Sequence, residues 1–272
     1  MLRVALLSSA SETIYALFLR ACGEELWRNQ IDVAAAILDE NTAKKQDFLR
    51  HSVRVAKRQA RCVARFWPVQ YLNILAYKIA IRPSISPVSS AEEAADRDVP
   101  IHRVGSLNSA ECVELLRRIK PDVACLMGTR IITEATLGHL PGVKFLNVHS
   151  SDPSFVRGGP PVFWEVLSGK TSMTLTVHRV TPELDGGEVL AQQDVPILFQ
   201  PRLGDTVAAT MAQARPAIAR LFLRALVDER QGRAQPRKVP LGPLRVTPSV
   251  IEQWRAARLC RRAAGSNGFR AP

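Results

Sequence analysis

Two polar side chains, Asn147 and His149, interrupt an apolar run at a spacing that suits catalysis. The run, F-L-N-V-H over residues 145–149, is typical of a buried strand. Side chains two residues apart on a strand point to the same face, so we expect this pair to project together from the strand's carboxyl end. Open α/β sheets bind ligands at that end. An amide beside an imidazole can hold a carbonyl oxygen while it becomes an oxyanion.

Two further groups, the carboxylate of Asp185 and a turn at 128–130, each follow another predicted strand and could reach the same sheet edge. Together these groups suit acyl transfer to an amine. Asn147 would donate one hydrogen bond to the oxyanion, and a protonated His149 would donate a second with a charge behind it. Asp185 would raise the basicity of His149 and shuttle a proton between the incoming and leaving nitrogens.

Residue types and spacing alone leave other interpretations open. A single Asn at a strand end is usually a turn or cap residue, a single His is usually a hydrogen-bonded core residue, and Asp-Gly-Gly is usually a turn. A metal site made of His149, His178 and Asp185 is disfavoured, because these residues lack a close ligand spacing such as H-x-x-x-H. His178 is expected to face outward or to pack beside the site.

Alternating strands and helices position these residues. The order predicts an α/β fold with a mainly parallel, twisted sheet flanked by helices. The turn after the first strand, S-S-A-S-E, contains no glycine, so it gives no basis for a dinucleotide site. Strands are predicted over 2–8, 31–38, 99–103, 121–130, 143–149, 171–180 and 189–197, and helices over 11–28, 42–82, 110–119, 131–140, 161–168 and 203–230.

The net charge of +12 is concentrated in two segments. Residues 44–65 hold eight Lys or Arg against Asp47 alone, and residues 215–272 hold thirteen against three acidic residues. Basic segments of this kind are usually solvated helix faces or loose tails. Within 42–82 a basic amphipathic helix precedes an apolar one. We favour a helical hairpin packed on its own domain, and the second interpretation is a membrane-surface element over 44–80.

The five cysteines are scattered and form no C-x-x-C, which disfavours a disulfide framework and favours a reduced, cytoplasmic setting. The apolar run at the start is too short for a signal peptide. No uninterrupted apolar run approaches the roughly 20 residues of a membrane span. The expected organisation is a catalytic domain over 1–230, with an inserted basic helical segment at 42–82, followed by a basic tail containing Pro, Arg and Gly over 231–272.

The motif residues, taken together, resemble a known family. The pieces F-L-N-V-H-S, R-G-G and T-L-T-V-H-R-V-T-P-E-L-D-G-G-E-V-L-A-Q resemble the motifs of formyltransferases that use 10-formyltetrahydrofolate. That family includes glycinamide ribonucleotide, methionyl-tRNA, sugar-nucleotide and hydroxyornithine formyltransferases. The resemblance, best over about residues 100–200, implies a Rossmann-like formyltransferase fold and 10-formyltetrahydrofolate as co-substrate. It also implies that Asn147, His149 and Asp185 are catalytic.

The resemblance further implies binding residues on two sides of the site. Residues 126–132 resemble the segment whose backbone holds the pterin ring, and residues 180–186 resemble the folate-binding loop. No metal is implied. The implied folate-binding residues are Met127, Gly128, Thr129, Arg130, Ile131, Val180, Leu184 and Gly186, and the implied amine-side residues are Ser150, Arg157, Gly158 and Gly159.

The sequence departs from the family pattern on the substrate side. The loop D-P-S-F-V-R-G-G lacks the usual L-L-P run, and the helical segment 42–82 is outside the common core. We therefore expect an N-formyltransferase acting on a small amine, either an amino sugar nucleotide or a hydroxylated amino acid. A methionyl-tRNA formyltransferase-like activity is the second option, favoured by the net charge of +12. Nucleic acid is nevertheless disfavoured as a partner, because too few residues follow the core for the carboxyl-terminal barrel of initiator-tRNA enzymes. A formyl-folate hydrolase and a non-catalytic membrane- or polyanion-binding module are further alternatives.

Overall fold

The computed structural model describes residues 1–9, 12–40, 48–64, 66–84 and 99–266. The start of the first predicted helix, the first residues of the basic segment, residues 85–98 and the last six residues lie outside these ranges. The described part contains a seven-stranded sheet with the order β3-β2-β1-β4-β5-β7-β8. Its strands are β1 Leu2–Ser8, β2 Ile31–Asp39, β3 Ile101–Val104, β4 Val123–Leu126, β5 Lys144–His149, β7 Ser172–Arg179 and β8 Val189–Pro196.

The first five of these strands are parallel to one another. At one side of the sheet, β7 pairs antiparallel with both β5 and β8. The predicted mainly parallel α/β fold is confirmed. The central strand β1 is apolar on both faces, as expected for a parallel strand covered by helices. Val4 and Leu6 belong to one hydrophobic core, and Ala5 and Leu7 belong to the other. Strand alternation therefore divides the core into two layers.

Helices cover both layers. On the first face lie α1 Glu12–Arg28, α6 Phe163–Leu167 and α7 Leu203–Arg230, and on the second lie α4 Ala110–Ile119 and α5 Glu134–Gly138. Ser109 caps the start of α4, where its side chain accepts a hydrogen bond from the Cys112 amide at 3.2 Å. The helix ends at Lys120 in the left-handed region.

The inserted segment forms a helical hairpin made of α2 Phe48–Cys62 and α3 Trp67–Ala80. One stripe of α3 is buried against the domain, at helical spacing: Gln70, Asn73, Ile74 and Tyr77. Gln70 donates to Gln59 Oε1 of α2 at 2.8 Å, so the two helices are tied together. No helix among the described residues is long and apolar enough to span a membrane.

Beyond α7 the chain stays folded as far as residue 266. The short strand β9 Leu244–Arg245 pairs in parallel with β6 Arg157–Gly158. The helix α8 Val250–Ser266 then buries Ala256 and Cys260 in the first core layer. Sequence patterns indicated a basic tail over 231–272, and they did not predict the β6–β9 pair. A two-residue pairing between distant segments leaves no periodic signal to detect.

Candidate active site

Strand β5 presents Asn147 and His149 near its carboxyl end, and both side chains are half-buried. The neighbouring strand β7 pairs Asn147 with His178 and His149 with Thr176. His178 is 3% exposed. Its Nε2 lies 3.3 Å from Asn147 Nδ2. Of the two placements expected for His178, the structure shows the one beside the site.

Asp185 meets both imidazoles. Its Oδ2 lies 3.6 Å from His149 Nδ1, and its Oδ1 lies 3.6 Å from His178 Nε2. The Gly158 amide donates to Asp185 Oδ2 at 2.8 Å. The structure therefore brings together the three residues predicted to be catalytic and adds His178 to them.

The turn that carries Asp185 follows a different path to the site from the predicted one. Because β7 is antiparallel to β5, the turn after β7 starts beside Phe145, whose carbonyl accepts from the Val180 amide at 2.8 Å. This is the amino-terminal half of β5, away from the sheet edge where the convergence was expected. The turn folds back towards His149 instead. Its close packing requires Gly187, where a Cβ would stand 1.7 Å from the Arg179 carbonyl oxygen.

The hydrogen bonds of the two imidazoles indicate where their protons lie. His178 Nδ1 is 2.8 Å from the Arg179 carbonyl oxygen, and His149 Nε2 is 3.3 Å from the Val156 carbonyl oxygen. A carbonyl oxygen can only accept, so each of these nitrogens carries a proton. In a neutral His178 the other nitrogen, Nε2, is then free to accept from the Asn147 amide.

Electrostatics favour a neutral imidazole next to an ionised carboxylate. Burial would raise the pKa of Asp185, but its contact with His178, the nearby His149 and the hydrogen bond from the Gly158 amide hold that pKa below its usual value. Burial lowers the pKa of His149, and Asp185 offsets this only in part. His149 is therefore mainly neutral near pH 7. A neutral His149 suits proton transfer, whereas the charged hydrogen bond considered from the sequence requires a protonated His149.

The predicted amine-side residues mostly hold the loop in place. Arg157 donates through Nε to the Gly242 carbonyl at 3.0 Å and through Nη1 to Glu183 Oε1 at 2.7 Å. Gly158 and Gly159 have φ angles of 63° and 74°, which favour glycine. Ser150 is half-buried directly after His149. Arg157 thus joins the Asp185 turn to the C-terminal segment, and its guanidinium is largely occupied.

The predicted folate-binding residues lie in two places. Met127 to Ile131 follow β4 and contact the end of β1, where Ser8 Oγ donates to the Met127 carbonyl at 2.8 Å. Val180, Leu184 and Gly186 belong to the turn that carries Asp185. Within the described residues, no group of three or more His, Cys, Asp or Glu side chains could hold a metal ion. The binding roles of both sets stay predictions.

A buried polar chain that the sequence did not reveal supports the loop after His149. Glu165 is 2% exposed and accepts from Ser151 Oγ at 2.5 Å. The Ser151 carbonyl accepts from Thr176 Oγ1 at 2.9 Å, and Thr176 is the cross-strand partner of His149. Burial raises the pKa of Glu165. The only sequence signal was an acidic residue within an otherwise apolar helix.

The family model described as formyl transferase matches residues 75–225, just over half of the chain. The fold and the arrangement of the site fit that match, and the chain belongs to the formyl transferase family. The matched residues include all of the strands and turns that carry the four site residues described above.

Individual members of the family and solved structures resemble the chain to different extents. It is similar to a methionyl-tRNA formyltransferase of Chloroflexus aggregans, 30% identical over 120 residues, which cover 44% of this chain and 39% of that protein. The chain thus spans less than half the length of this relative. It shares its fold with a sugar N-formyltransferase from a Shewanella species (TM-score 0.58, 11% identity, 96% of this chain and 88% of that one). It also shares its fold with HypX of Aquifex aeolicus, solved with tetrahydrofolic acid (TM-score 0.54, 14% identity, 93% and 34%).

Proposed function

We propose that the protein is an N-formyltransferase that moves a formyl group from 10-formyltetrahydrofolate to a small-molecule amine. The observation that carries the proposal is the contact of Asp185 with His149 and His178, each at 3.6 Å, beside Asn147. Membership of the formyl transferase family supports it, as does a neighbour of the same fold solved with tetrahydrofolic acid. The reduced state of the cysteines fits the cytoplasmic location that we include in this proposal.

In this mechanism the amine nitrogen attacks the formyl carbon, and the carbonyl oxygen becomes an oxyanion that accepts from Asn147 Nδ2. The new carbon–nitrogen bond forms, and the bond from the formyl carbon to N10 of the folate breaks. The amine loses one proton and N10 gains one. Asp185, held ionised, accepts the proton directly or through water, and the neutral His149 beside it completes the relay.

The acceptor is proposed to be a small amine that carries negative charge. Arg245 is exposed, pairs through its backbone with Gly158, and places its guanidinium 4.8 Å over the ring of Trp164. A cation thus stands next to the R-G-G loop, where it would attract an anionic group. The sugar N-formyltransferase of the same fold acts on a small molecule, as its name states. Met-tRNA is the second candidate, because the curated relative is a methionyl-tRNA formyltransferase.

The direct test is an acceptor panel with 10-formyltetrahydrofolate, in which release of tetrahydrofolate is measured. The panel holds amino sugar nucleotides, hydroxylated amino acids, neutral amines and initiator Met-tRNA. We expect turnover with an anionic small amine, and its loss in His149→Ala. If only initiator Met-tRNA supported turnover, the acceptor would be tRNA and not a small amine. Formate release without any amine would indicate a hydrolase. Unchanged turnover in His149→Ala would show that the catalytic roles are assigned wrongly.

A further inference from the structure

One set of exposed basic, apolar and indole side chains lies on α2, α3 and α8 and plays no part in the chemistry described above. We call it the hairpin surface. On α2 the exposed stripe ends at Cys62 and contains four cations at helical spacing: Arg54, Lys57, Arg58 and Arg61. The helix contains no Asp or Glu from Phe48 to Cys62. Positive charge on this face is therefore not balanced along the helix itself.

The neighbouring helix α3 exposes apolar side chains on the side opposite its buried stripe. Leu72 is 60% exposed and Ile79 is 75% exposed, two helical turns apart. Pro68 and Leu75 lie on the same face and are partly exposed. A surface helix normally turns polar residues outward. An apolar stripe on the outward side of a packed helix indicates a surface that contacts something else.

Aromatic residues connect the basic and apolar stripes. At the tip of the hairpin Phe66 is 71% exposed and Trp67 is 39% exposed. Lys57 Nζ lies 5.1 Å from the centroid of the Trp67 ring, so the cationic stripe of α2 reaches the start of α3. Indole rings flanked by cations are favoured at the boundary between water and lipid.

The helix α8 extends the same pattern from the other end of the chain. The Val250 amide donates to Asn73 Oδ1 at 3.2 Å, and Gln253 Nε2 donates to the Asn73 carbonyl at 3.0 Å. These bonds join the start of α8 to the middle of α3. The outward face of α8 carries Ile251 at 65% exposure and Trp254 at 55%, with Arg258 4.7 Å above the Trp254 ring.

Contacts within the chain hold the hairpin surface in place. Gln70 is fully buried and donates both to Gln59 on α2 and to the Thr247 carbonyl just before α8. Tyr77 packs edge-on against Phe163 at 5.8 Å, which ties α3 to the catalytic domain. All three helices are thus held in one arrangement by contacts on their inner sides.

We propose that the hairpin surface docks the protein on an anionic lipid bilayer. The exposed apolar and indole side chains would enter the headgroup boundary, and the cations of α2 and α8 would pair with anionic headgroups. A second copy of this chain fits poorly, because self-pairing would set cationic stripes against each other. Nucleic acid would satisfy the cations, but it offers no apolar counterpart to Leu72 and Ile79.

Binding to vesicles tests the proposal. We expect the purified chain to co-sediment with vesicles of phosphatidylcholine and phosphatidylglycerol, and much less with phosphatidylcholine alone. Arg58→Ala and Arg61→Ala should each weaken partitioning about fivefold, the equivalent of about 1 kcal/mol for each cation near an anionic surface. Leu72→Gln and Ile79→Gln should each weaken it roughly tenfold, in line with the apolar burial that is lost. All four side chains are exposed or make only local contacts, so the fold should persist, and thermal melting checks this.

Matched variants elsewhere on the protein serve as controls. Arg117→Ala and Arg118→Ala remove exposed cations from α4 on the opposite layer, and Trp27→Gln removes a side chain of α1 that is 71% exposed. These should leave partitioning unchanged. Equal loss in the controls, or no difference between the two lipids, would overturn the proposal. So would a lipid-independent dimer that Leu72→Gln dissociates, or binding to RNA with no binding to vesicles.

Discussion

The candidate active site and the hairpin surface handle charge in opposite ways. In the site, the Asp185 carboxylate is buried and faces an amide and two imidazoles. On the hairpin surface, the α2 cations project into solvent from a helix without acidic residues. The buried carboxylate is stabilised by polar groups that the chain itself supplies. The exposed cations of the hairpin surface have no acidic residue on their own helix. Substitutions in the two regions should therefore affect different measurements.

The largest effect is expected from Asp185→Asn. An amide cannot accept the proton of the incoming amine, so turnover should fall about 10²- to 10⁴-fold, while vesicle partitioning stays the same. The measurement is the initial rate of tetrahydrofolate release. Glu188→Gln, on the same turn but partly exposed, is the matched control and should retain activity. A loss of vesicle binding in Asp185→Asn would show that the two regions do not act independently.

Removal of the amide donor with Asn147→Ala comes next. Loss of one oxyanion donor typically lowers kcat by about 10²- to 10³-fold. Because the bond is strongest in the transition state, kcat should fall while the KM for the amine changes little. Steady-state kinetics distinguish the two parameters. A rise in KM with kcat intact would make Asn147 a substrate-binding residue.

Glu165→Gln tests how the site tolerates buried charge. Burial raises the folded-state pKa of Glu165 above its unfolded value, so the folded state holds the proton more tightly. Stability therefore decreases as pH rises through the window from the unfolded pKa to the folded one. Glutamine can still accept from Ser151 and carries no charge, so the variant should be more stable at neutral pH by on the order of 1 kcal/mol. Urea denaturation below and above that window should show the gain at the higher pH only.

The smallest effect on stability is expected from Leu72→Gln. The side chain is 60% exposed, and surface substitutions of this kind usually change stability by within about 0.5 kcal/mol. Tyr77→Ala, on the buried side of the same helix, should cost several kcal/mol, about 3–5. Thermal melts of the two variants measure the contrast directly. Comparable losses would mean that the outward stripe is part of the core.

Strand periodicity was sufficient to predict that Asn147 and His149 lie on the same face near the end of one strand. Alternation is a local rule that needs no knowledge of the neighbouring strands. The convergence of Asp185 was predicted from strand ends that meet at one edge of a mainly parallel sheet. In the structure β7 runs antiparallel to β5, and the turn after β7 folds back towards His149. His178 was undervalued for the same reason, since only the pairing of β5 with β7 sets it opposite Asn147. The pairing of β6 with β9 depends on segments far apart in the chain, and no local pattern encodes it.

The pairing of β6 with β9 implies an order in which the parts of the site form during folding. Arg157 bonds to Gly242 across 85 residues, so the loop that supplies the Gly158 amide is held by chain that leaves the ribosome after α7. A nascent chain ending at α7 already contains Asn147, His149 and Asp185 but lacks the strand that fixes their loop. Closing so long a loop is slow relative to local structure. We expect the Gly158 amide to gain protection after the β5 amides in pulse-labelled hydrogen exchange, because a segment synthesised after α7 completes the site.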